Sequence, residues 1–565
     1  MKRGQQIIYA FTLLLILCAV VVGKSDRWNY DFPFTLMVTA DGQTHKITCF
    51  QKYGVYYASL PAYTQHAEVV IQTNPRYEIR IGDQLLTDGM KVSQFPLGKQ
   101  LDLFYDAADD EPDNTITFLR SGNVGTVYLD VYSGSMDYIH QKKGNKEGGS
   151  IQVYGADGTL WHSGKVEAIR GRGNATWLWE KKPYSLTLSK SADLLGMGAA
   201  KEWILLTNAP DPTHLRNKIA YDLAAEVGLL YSPESNWVDL YLNGEYTGLY
   251  LLTERNEIHP QRIPAGNGTF LVSMELESRL KSEKKPYIRT NRGTILRIHQ
   301  SDLTQQSIRQ IWESAENAIF AEDGIDVLTG KLWTELIDVD SWAKKYLLEE
   351  IMGNYDAGSV SQYFYYDTST GKIYAGPVWD MDNTMGNSYW TGAFNEILAG
   401  REHLWSDEDS PLYFALLEKE YFLNRVKELF RNVYQPAVNQ LCNSKLDGYV
   451  QTISESANMN HERWPDTEKE IDAEGIREYL LSRMSFLESY LENREKYVTV
   501  HAWIPGNIIF CRAILPGECI EQLDDHKAYA WFDLETGIRF DFESPVYHNL
   551  ILQKRLIAEQ ELDIP

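Results

Sequence analysis

The sequence is poor in cysteine, with five among 565 residues. No two of them form a Cys-x-x-Cys pair of the kind that binds zinc. Cys18 lies in an apolar N-terminal segment, whereas Cys49 and Cys442 are isolated. Cys511 and Cys519 are near enough in sequence to close a small loop in an oxidising compartment, although two reduced thiols fit equally well. The cysteines therefore argue against a thiolate metal site and leave one disulfide open.

Positive charge is also scarce. Lysine and arginine number 54 against 78 aspartate and glutamate residues, which gives a formal net charge of −24. This surplus opposes binding to a polyanion through bulk electrostatics, so nucleic acid is not expected as a partner. Local groups of arginine and lysine are correspondingly informative, because a site for nucleotide phosphates would have to concentrate the few cations available.

Only one long apolar run is present in the sequence. It covers residues 7–22 and follows Lys2 and Arg3. Residues 1–23 are predicted to be a signal peptide or a signal anchor, since the run is slightly long for a cleaved segment and near the lower limit for a membrane-spanning helix. The two basic residues would keep the N-terminus inside and send the remainder out. We therefore expect an exported protein, secreted or attached to the membrane by this segment if it is not cleaved.

The rest of the chain divides into three regions, and the expected fold class is α+β. Residues 27–122 contain short alternating strands between turns, which is typical of a β-sandwich and is interpreted as an Ig-like domain. Residues 127–497 change from strands to helices and contain every motif that suggests chemistry. Residues 498–565 return to short strands and aromatic residues, and are predicted to form a small β appendage.

The clearest chemical motif is an acidic turn after a predicted strand. Asp380 and Asp382 stand one residue apart directly after Pro-Val-Trp, and Asn383 and Gly386 loosen the turn. Two carboxylates at a strand end can share one Mg²⁺, which takes oxygen ligands, keeps several waters and can bridge phosphate oxygens. The plain alternative is an ordinary loop, because aspartate and asparagine favour turns.

A basic stretch with two glycines lies further towards the N-terminus, at residues 170–177. Its glycines let backbone amides approach a ligand, and Arg170 and Arg172 supply guanidinium forks suited to phosphate. Lys182 stands at the entrance of the next predicted strand. Arg216 lies near the start of a predicted helix, where the helix dipole would also favour an anion. The alternatives are solvated basic side chains on a turn and a structural ion pair at the helix.

A third motif places Asp356 after a long predicted helix. The helix covers residues 332–352, Ser361 and Gln362 follow Asp356, and a short hairpin then leads to Asp380. This order is the one in which kinase-like folds place a catalytic carboxylate and a metal-binding carboxylate. The alternative is again a polar turn at a helix end.

With these motifs assembled, residues 128–497 resemble the spore coat protein H (CotH) kinase family over about two thirds of the chain. The resemblance rests on these segments, in order along the chain: Arg170-Gly-Arg-Gly-Asn-Ala-Thr-Trp177, Lys181-Lys-Pro-Tyr184, Leu215-Arg-Asn-Lys218, Asp239-Leu-Tyr-Leu-Asn-Gly-Glu-Tyr-Thr-Gly248 and Gly376-Pro-Val-Trp-Asp-Met-Asp382. It implies an atypical protein-kinase-like core that uses ATP and Mg²⁺, or Mn²⁺, to phosphorylate serine, with threonine as a second acceptor, on a surface or coat protein.

The resemblance also implies roles for single residues. Lys182 corresponds to the phosphate-binding lysine, Asp356 to the carboxylate that orients the acceptor hydroxyl, and Asp380 to the principal Mg²⁺ ligand. Further candidates are Arg170, Arg172, Asn174 and Arg216 for the nucleotide, Asp382, Ser361 and Gln362 for metal or water contacts, and Glu254 or Glu226 for the glutamate that pairs with Lys182. The His-Arg-Asp and Asp-Phe-Gly motifs of conventional protein kinases are absent from the sequence.

Two other functions stay open at this point. One is a catalytically inactive, kinase-like surface binding or scaffold protein. The other is a haloacid-dehalogenase-type phosphatase, because Asp380-Met-Asp-Asn-Thr384 fits its Asp-x-Asp-x-Thr pattern, in which the first aspartate is a nucleophile. Transfer of AMP instead of phosphate is also compatible with the sequence, which makes no prediction of the oligomeric state.

Overall fold

Alternating strands dominate the first half of the chain and helices the second, as expected for the α+β class. The computed structural model describes residues 32–264, 266–387, 392–402, 410–465, 471–504, 507–523 and 529–556. The predicted signal segment, residues 1–23, lies outside these ranges. Within them, no helix is long and apolar enough to span a membrane.

Two sheets form the N-terminal module, in the region predicted to be a sandwich. Their strands are β1 (Phe34–Ala40), β2 (Gln43–Ile47), β3 (Phe50–Lys52), β4 (Val55–Leu60), β5 (Val69–Thr73), β6 (Arg80–Ile81), β7 (Gln84–Leu85), β8 (Lys91–Val92), β9 (Gln100–Phe104) and β10 (Asn114–Arg120). The strand orders are β2-β1-β5-β8 and β3-β4-β10-β9-β6-β7. Alternate residues of β1, including Phe34 and Leu36, share one hydrophobic core with residues of the second sheet such as Ile116. The Ig-like topology stays a prediction.

A closed seven-stranded barrel follows. Its strands are β11 (Gly125–Val131), β12 (Lys146–Tyr154), β13 (Leu160–Gly171), β14 (Tyr184–Asp193), β15 (Ala199–Leu206), β16 (Ser235–Leu242) and β17 (Glu245–Glu254), in the order β11-β12-β13-β14-β15-β17-β16. Two helices lie among these strands, α1 (Asp137–Gln141) and α2 (Arg216–Glu226). The turn between β16 and β17 is Asn243-Gly244, and both residues have positive φ, as a tight hairpin turn requires. Side chains fill the barrel, among them Trp203 and Tyr250.

The N-terminal module packs directly on the barrel. His45 Nε2 and Tyr154 Oη are hydrogen-bonded at 2.8 Å, and the hydroxyl groups of Tyr63 and Tyr128 are 2.6 Å apart. The N–H of Thr48 donates to the carbonyl of the hairpin residue Gly244 at 2.9 Å. The two parts therefore share a layer of buried tyrosines and are joined by more than their linker.

An antiparallel sheet and the remaining helices make up the second half. The strands are β18 (Phe270–Met274), β19 (Tyr287–Arg289), β20 (Ile295–Ser301), β21 (Tyr363–Asp367) and β22 (Lys372–Ala375), in the order β19-β20-β18-β21-β22. The helices are α3 (Glu277–Glu283), α4 (Gln305–Phe320), α5 (Trp333–Leu336), α6 (Val339–Met352), α7 (Leu412–Leu417), α8 (Glu420–Leu429), α9 (Gln435–Gln440), α10 (Leu446–Arg463) and α11 (Ala473–Glu492). Most of the buried apolar residues of these elements belong to the largest core.

Two interpretations of the sequence after residue 332 disagree with the helices and strands that the structure has. The helix predicted over 332–352 is two helices, α5 and α6, because the side chain of Asp338 caps α6 by accepting from the N–H of Ser341 at 2.8 Å. The haloacid-dehalogenase-type alternative requires repeating strand-helix units after Asp380. All strand pairs in the sheet before Asp380 are antiparallel, and the described elements from Leu412 to Glu492 are helices, so that alternative is dropped.

The C-terminal module is a four-stranded sheet. Its strands are β23 (Val498–Ile504), β24 (Asn507–Ile514), β25 (Tyr529–Asp533) and β26 (Leu550–Leu556), in the order β24-β23-β26-β25. The segment 392–402 attaches it to the helices, since the N–H of Ile397 donates to the carbonyl of Cys511 at 2.7 Å and that of Ala513 to the carbonyl of Asn395 at 3.0 Å. Cys511 is buried, Cys519 is exposed, and both thiols are free.

Candidate active site

Part of one face of the five-stranded sheet is polar. In β20, Leu296 lies in the main core, whereas Arg297 and His299 alternate with the core-facing positions and belong to the opposite face. On this face Ser273 Oγ and His299 Nε2 are hydrogen-bonded at 2.8 Å, and the rings of His299 and Tyr363 stack with centroids 4.8 Å apart. The polar face forms the floor of the site.

Asp380 lies at the end of this floor, after β22. Its φ is +65°, a left-handed value that is uncommon for a residue other than glycine and is found at functional sites. Its carboxylate is exposed, and Oδ2 accepts a hydrogen bond from Ser361 Oγ at 3.0 Å. The next residue, Met381, donates its N–H to Oδ1 of Asn217 at 2.8 Å. Helix α2 therefore holds the acidic turn in place.

Arg216 supports the same turn from below. Its Nη1 forms an ion pair with Asp211 at 2.5 Å, and its Nε and Nη2 donate to the carbonyls of Thr384 and Met385 at 2.9 and 3.3 Å. The guanidinium is buried and its donors are used within the protein. These contacts match the structural ion pair that the sequence left open, and binding of a nucleotide by Arg216 stays a prediction.

Asp356 follows α6, and a buried polar network positions its loop. Lys345 pairs with Glu349, and both side chains are fully buried. Glu349 accepts a hydrogen bond from the amide nitrogen of Asn354, and Asn354 Oδ1 accepts one from the N–H of Asp356 at 3.0 Å. Because every member of this chain of contacts is engaged, the loop has little freedom to move Asp356.

Burial and neighbouring negative charge raise the pKa of two of the three carboxylates, Asp356 and Asp382. Burial raises the pKa of Asp356 to about 7, and the next cause is the negative charge of Asp380. Burial also raises the pKa of Asp382 well above its usual value, followed by the charges of Asp380 and Asp211. Like charges placed together in a partly buried site are unfavourable unless a cation joins them.

The arrangement fits a Mg²⁺ ion that has few protein ligands and completes its coordination with water and phosphate oxygens. Within the described ranges, no group of three or more histidine, cysteine, aspartate or glutamate side chains is arranged to hold a metal ion by itself. Mg²⁺ does not require such a cage, because it is usually bound by one or two carboxylates together with water and phosphate oxygens. Asp380 and Asp382 supply that number of carboxylates, and their mutual repulsion would be relieved by the ion.

Cations border the carboxylates on the side of the barrel. Arg172, at the end of β13, places its Cζ 5.3 Å from the centroid of the Trp379 ring, next to Asp380. Burial lowers the pKa of Arg172, and the charge of Asp380 is the largest opposing cause. Burial also lowers the pKa of His299 well below its usual value, and three cations act in the same direction: Arg297, Arg255 and Lys285. Arg170 in turn contributes to lowering the pKa of Lys285.

Comparisons with known proteins agree with the motifs from which the site is built. The family model described as CotH kinase protein matches residues 169–498, more than half of the chain. The chain belongs to the CotH kinase family. Inner spore coat protein H of Bacillus subtilis (strain 168) is 22% identical over 332 residues, which cover 57% of this chain and 86% of that protein. Among solved structures, the Helicobacter pylori proinflammatory kinase CtkA covers 55% of this chain and 95% of its own, with 10% identity and a TM-score of 0.26.

The resemblance seen in the sequence is thus confirmed at the level of the CotH family. The match leaves outside the whole N-terminal module, the first two strands of the barrel and nearly all of the C-terminal module. It includes the acidic turn, the loop of Asp356, the arginines of β13 and the sheet whose polar face forms the floor.

The structure of this CotH family member does not bring Lys182 to the carboxylates. Its Nζ donates to the carbonyl of Trp177 at 2.8 Å and lies 5.1 Å from the centroid of that ring. In the described part of the chain, no hydrogen bond or ion pair joins Lys182 to Asp356, Asp380 or Asp382. Neither candidate glutamate pairs with it, because Glu254 contacts Arg262 and Glu226 contacts Lys445.

Two other predicted residues are engaged elsewhere. Asn174 is exposed, and its Oδ1 accepts from Lys143 Nζ at 3.2 Å. Gln362 is buried, its Nε2 donates to the carbonyl of Val360 at 3.4 Å, and its Oε1 has no partner among the described residues. The structure therefore offers no contact between Gln362 and the acidic turn.

Sequence reasoning did not find three cations of the site, Arg255, Lys285 and Arg297. They stand outside the motifs and come together only when the sheet forms under the end of the barrel. One signal was present for Arg297: it stands between the apolar residues Leu296 and Ile298, which in a strand places it on the face away from the core.

Proposed function

We propose that this protein is an exported CotH-type kinase that transfers the γ-phosphoryl group of ATP to serine, and secondarily to threonine, of a surface or coat protein. The observation that carries the proposal is the meeting of three carboxylates with arginine and lysine side chains at one end of a polar sheet face, in a chain whose net charge is −24. The relative named as a spore coat protein supports a coat or surface location.

Phosphoryl transfer requires mainly positioning and neutralisation of charge. Arg172, beside Asp380, is placed to offset charge on the transferred group, and Ser361 fixes the orientation of the Asp380 carboxylate. A divalent ion, Mg²⁺ or Mn²⁺, held by Asp380 and Asp382 would bind phosphate oxygens and neutralise their charge.

Asp356 is assigned to the acceptor hydroxyl. Its pKa of about 7 allows a substantial ionised fraction at neutral pH and a useful affinity for the proton of the acceptor. The network through Asn354 and Glu349 holds its backbone, so the carboxylate presents one orientation to the incoming hydroxyl group.

The experiment is transfer of label from [γ-³²P]ATP to a surface-protein fraction, with Mg²⁺ or Mn²⁺, by the purified exported chain. Wild type should label serine-containing acceptors, and Asp380→Ala should lose at least about a thousandfold of the rate, as expected when a principal metal ligand is removed. Asp83→Ala, which removes an exposed carboxylate between β6 and β7, is the matched control. Label that appears only from [α-³²P]ATP would show transfer of AMP instead.

A catalytically inactive scaffold is the second candidate, and the position of Lys182 favours it. The lysine that corresponds to the family's phosphate-binding residue is held by Trp177 and has no contact with the carboxylates among the described residues. A folded wild-type protein that gives no labelled product with either metal would support the scaffold and contradict the kinase.

A further inference from the structure

Arg297 lies in a rigid part of the floor. Strand β20 runs between β19 and β18, and Arg297 stands opposite Tyr287 on one side and Ser273 on the other. Its Nε is buried and has no hydrogen-bond partner among the residues described. A guanidinium group held in the middle of a sheet with an unused buried donor is costly, because water has been removed from it without replacement.

Two glutamates interact electrostatically with Arg297, and both already form ion pairs with other residues. Glu275 binds Arg279 at 2.6 Å, and Glu283 binds Lys143 at 2.9 Å. The positive charge of Arg297 acts on both carboxylates. In the described ranges, however, neither glutamate forms an ion pair with Arg297 within 4 Å. Among the described residues, the positive charge of Arg297 is therefore left without an ion-pair partner.

Two buried arginines of the chain, by contrast, have carboxylate partners. Arg483 pairs with Glu350 at 2.7 Å, and Arg216 pairs with Asp211 at 2.5 Å. Arg297 has instead further cations as neighbours, since its charge and those of Arg255 and Lys285 act together on His299. Repulsion within this group would be relieved by a bound anion.

The anion must also tolerate the carboxylates at the end of the floor. Tyr363 is close enough to interact electrostatically with both arginines, Arg297 and Arg172, and also with Asp380. An acidic peptide side chain would be repelled by Asp356, Asp380 and Asp382. A polyphosphate avoids this repulsion, because it binds together with a divalent cation and the same carboxylates can bind that cation.

We infer that Arg297, together with Arg172 across the floor, binds the polyphosphate of a nucleoside triphosphate in place of Lys182. This inference rests on the proposed function and names the residues that bind its nucleotide. The planar guanidinium forks present several parallel donors to phosphate oxygens, which a lysine ammonium cannot do. Arg255, which already pairs with Glu202 at 3.1 Å, and Lys285 add charge at the edge of this site.

The test is binding of Mg·ATP and of magnesium tripolyphosphate to the purified exported chain, measured by calorimetry. Arg297→Gln should weaken both by about ten- to a hundredfold, since each tenfold corresponds to loss of roughly one good contact. Arg297→Lys should recover only part of the lost affinity, because lysine restores the positive charge but not the planar set of guanidinium donors. Lys182→Met should weaken binding less than Arg297→Gln does.

Arg289→Gln is the matched control. Arg289 is an exposed arginine of the neighbouring strand β19 and pairs with Glu277 at 3.3 Å, away from the carboxylates. It should bind both ligands within about twofold of wild type. Since Arg297 has no ion pair to lose, Arg297→Gln should also melt no lower than wild type without ligand, which separates loss of binding from loss of folding.

Two results would overturn the inference. If Arg297→Gln binds both ligands within twofold of wild type, Arg297 does not hold the polyphosphate, whether or not the protein is a kinase. If Lys182→Met loses as much affinity as Arg297→Gln, the lysine shares the role that the inference removes from it. Failure of the proposed function has a different signature, namely arginine-dependent binding of both ligands by a wild type that transfers no phosphate.

Discussion

Two charged regions lie on either side of the loop that contains Asp356. Beneath it, the buried charges are paired: Lys345 with Glu349, and Arg483 with Glu350. Above it, Asp356 and Asp380 are near each other and share no protein cation in an ion pair within the described residues. In the first arrangement each buried charge has a partner whose removal would be costly, whereas the second costs stability unless a ligand supplies positive charge.

Breaking the paired region should give the largest effect. Arg483→Met leaves Glu350 buried without its cation and removes the donors to the carbonyls of Phe394 and Glu396. We expect the free energy of unfolding to fall by about 3–5 kcal/mol, the usual result when one partner of a buried pair is removed. Urea denaturation at pH 7 would measure it.

Arg477→Met on the same helix is the control for that change. Arg477 contacts Asp447 and Glu474 at the surface, so the loss should stay below about 1 kcal/mol. Equal losses for the two variants would show that the buried pair has no special role.

Removal of a charge from the unpaired region should raise the free energy of unfolding instead of lowering it. The pKa of Asp356 is about 7 in the folded protein and about 4 in an unfolded chain. The folded state therefore binds more protons between these values, and wild-type stability falls as the pH rises through this window. Asp356→Asn removes the effect, so it should be more stable than wild type by about 1–3 kcal/mol at pH 8 and similar near pH 4.

Asp340→Asn gives the opposite sign and serves as control. The pKa of Asp340 is lowered, chiefly by its hydrogen bonds with Arg425, so its charge contributes stability above its usual pKa. That variant should be less stable than wild type at pH 8. A loss of stability at pH 8 in Asp356→Asn as well would contradict the account of the acidic region.

The pH dependence of transfer should show the same titration. If Asp356 must be ionised to accept the proton of the acceptor, kcat/KM should rise about tenfold per pH unit below about pH 7 and level above it. Initial rates from pH 5 to 9 with fixed free Mg²⁺ would measure this. A profile that is flat across pH 7 would remove Asp356 from the role of base.

The smallest expected effect concerns the orientation of Asp380. Ser361→Ala removes one hydrogen bond, at 3.0 Å, to this carboxylate. A bond to a charged group at a partly exposed site contributes about 1–2 kcal/mol, so transfer should fall roughly five- to thirtyfold. Ser444→Ala should leave the rate unchanged, because Ser444 lies in the helical turn Leu441–Lys445 between α9 and α10 and its hydroxyl donates to the carbonyl of Gln440.

Local patterns were enough to predict much of the chain. The helix end before Asp356 depends on residues close in sequence, and the structure has it. The strand predicted directly before Asp380 is wrong in its end, because β22 stops at Ala375 and residues 376–379 have no regular structure. The CotH resemblance likewise rested on short motifs and is confirmed by the family match.

Properties that depend on the packing of distant segments were not predicted. Lys182 was assigned from its motif, but the direction of its side chain is set by Trp177. Arg297 carries no motif and becomes part of the site only through the register of β20 with β18 and β19. The roles assigned to Asp356, Asp380 and Asp382 stay predictions until they are tested.

The central claim is that the polar sheet face and its carboxylates form a metal-dependent nucleotide site. Calorimetric titration of the purified protein with ATP, in the presence and in the absence of Mg²⁺, tests it most directly. Saturable binding that strengthens at least about tenfold with Mg²⁺, because the ion relieves the repulsion among the three aspartates, is the expected result. Absence of ATP binding under both conditions by a folded protein would contradict the claim.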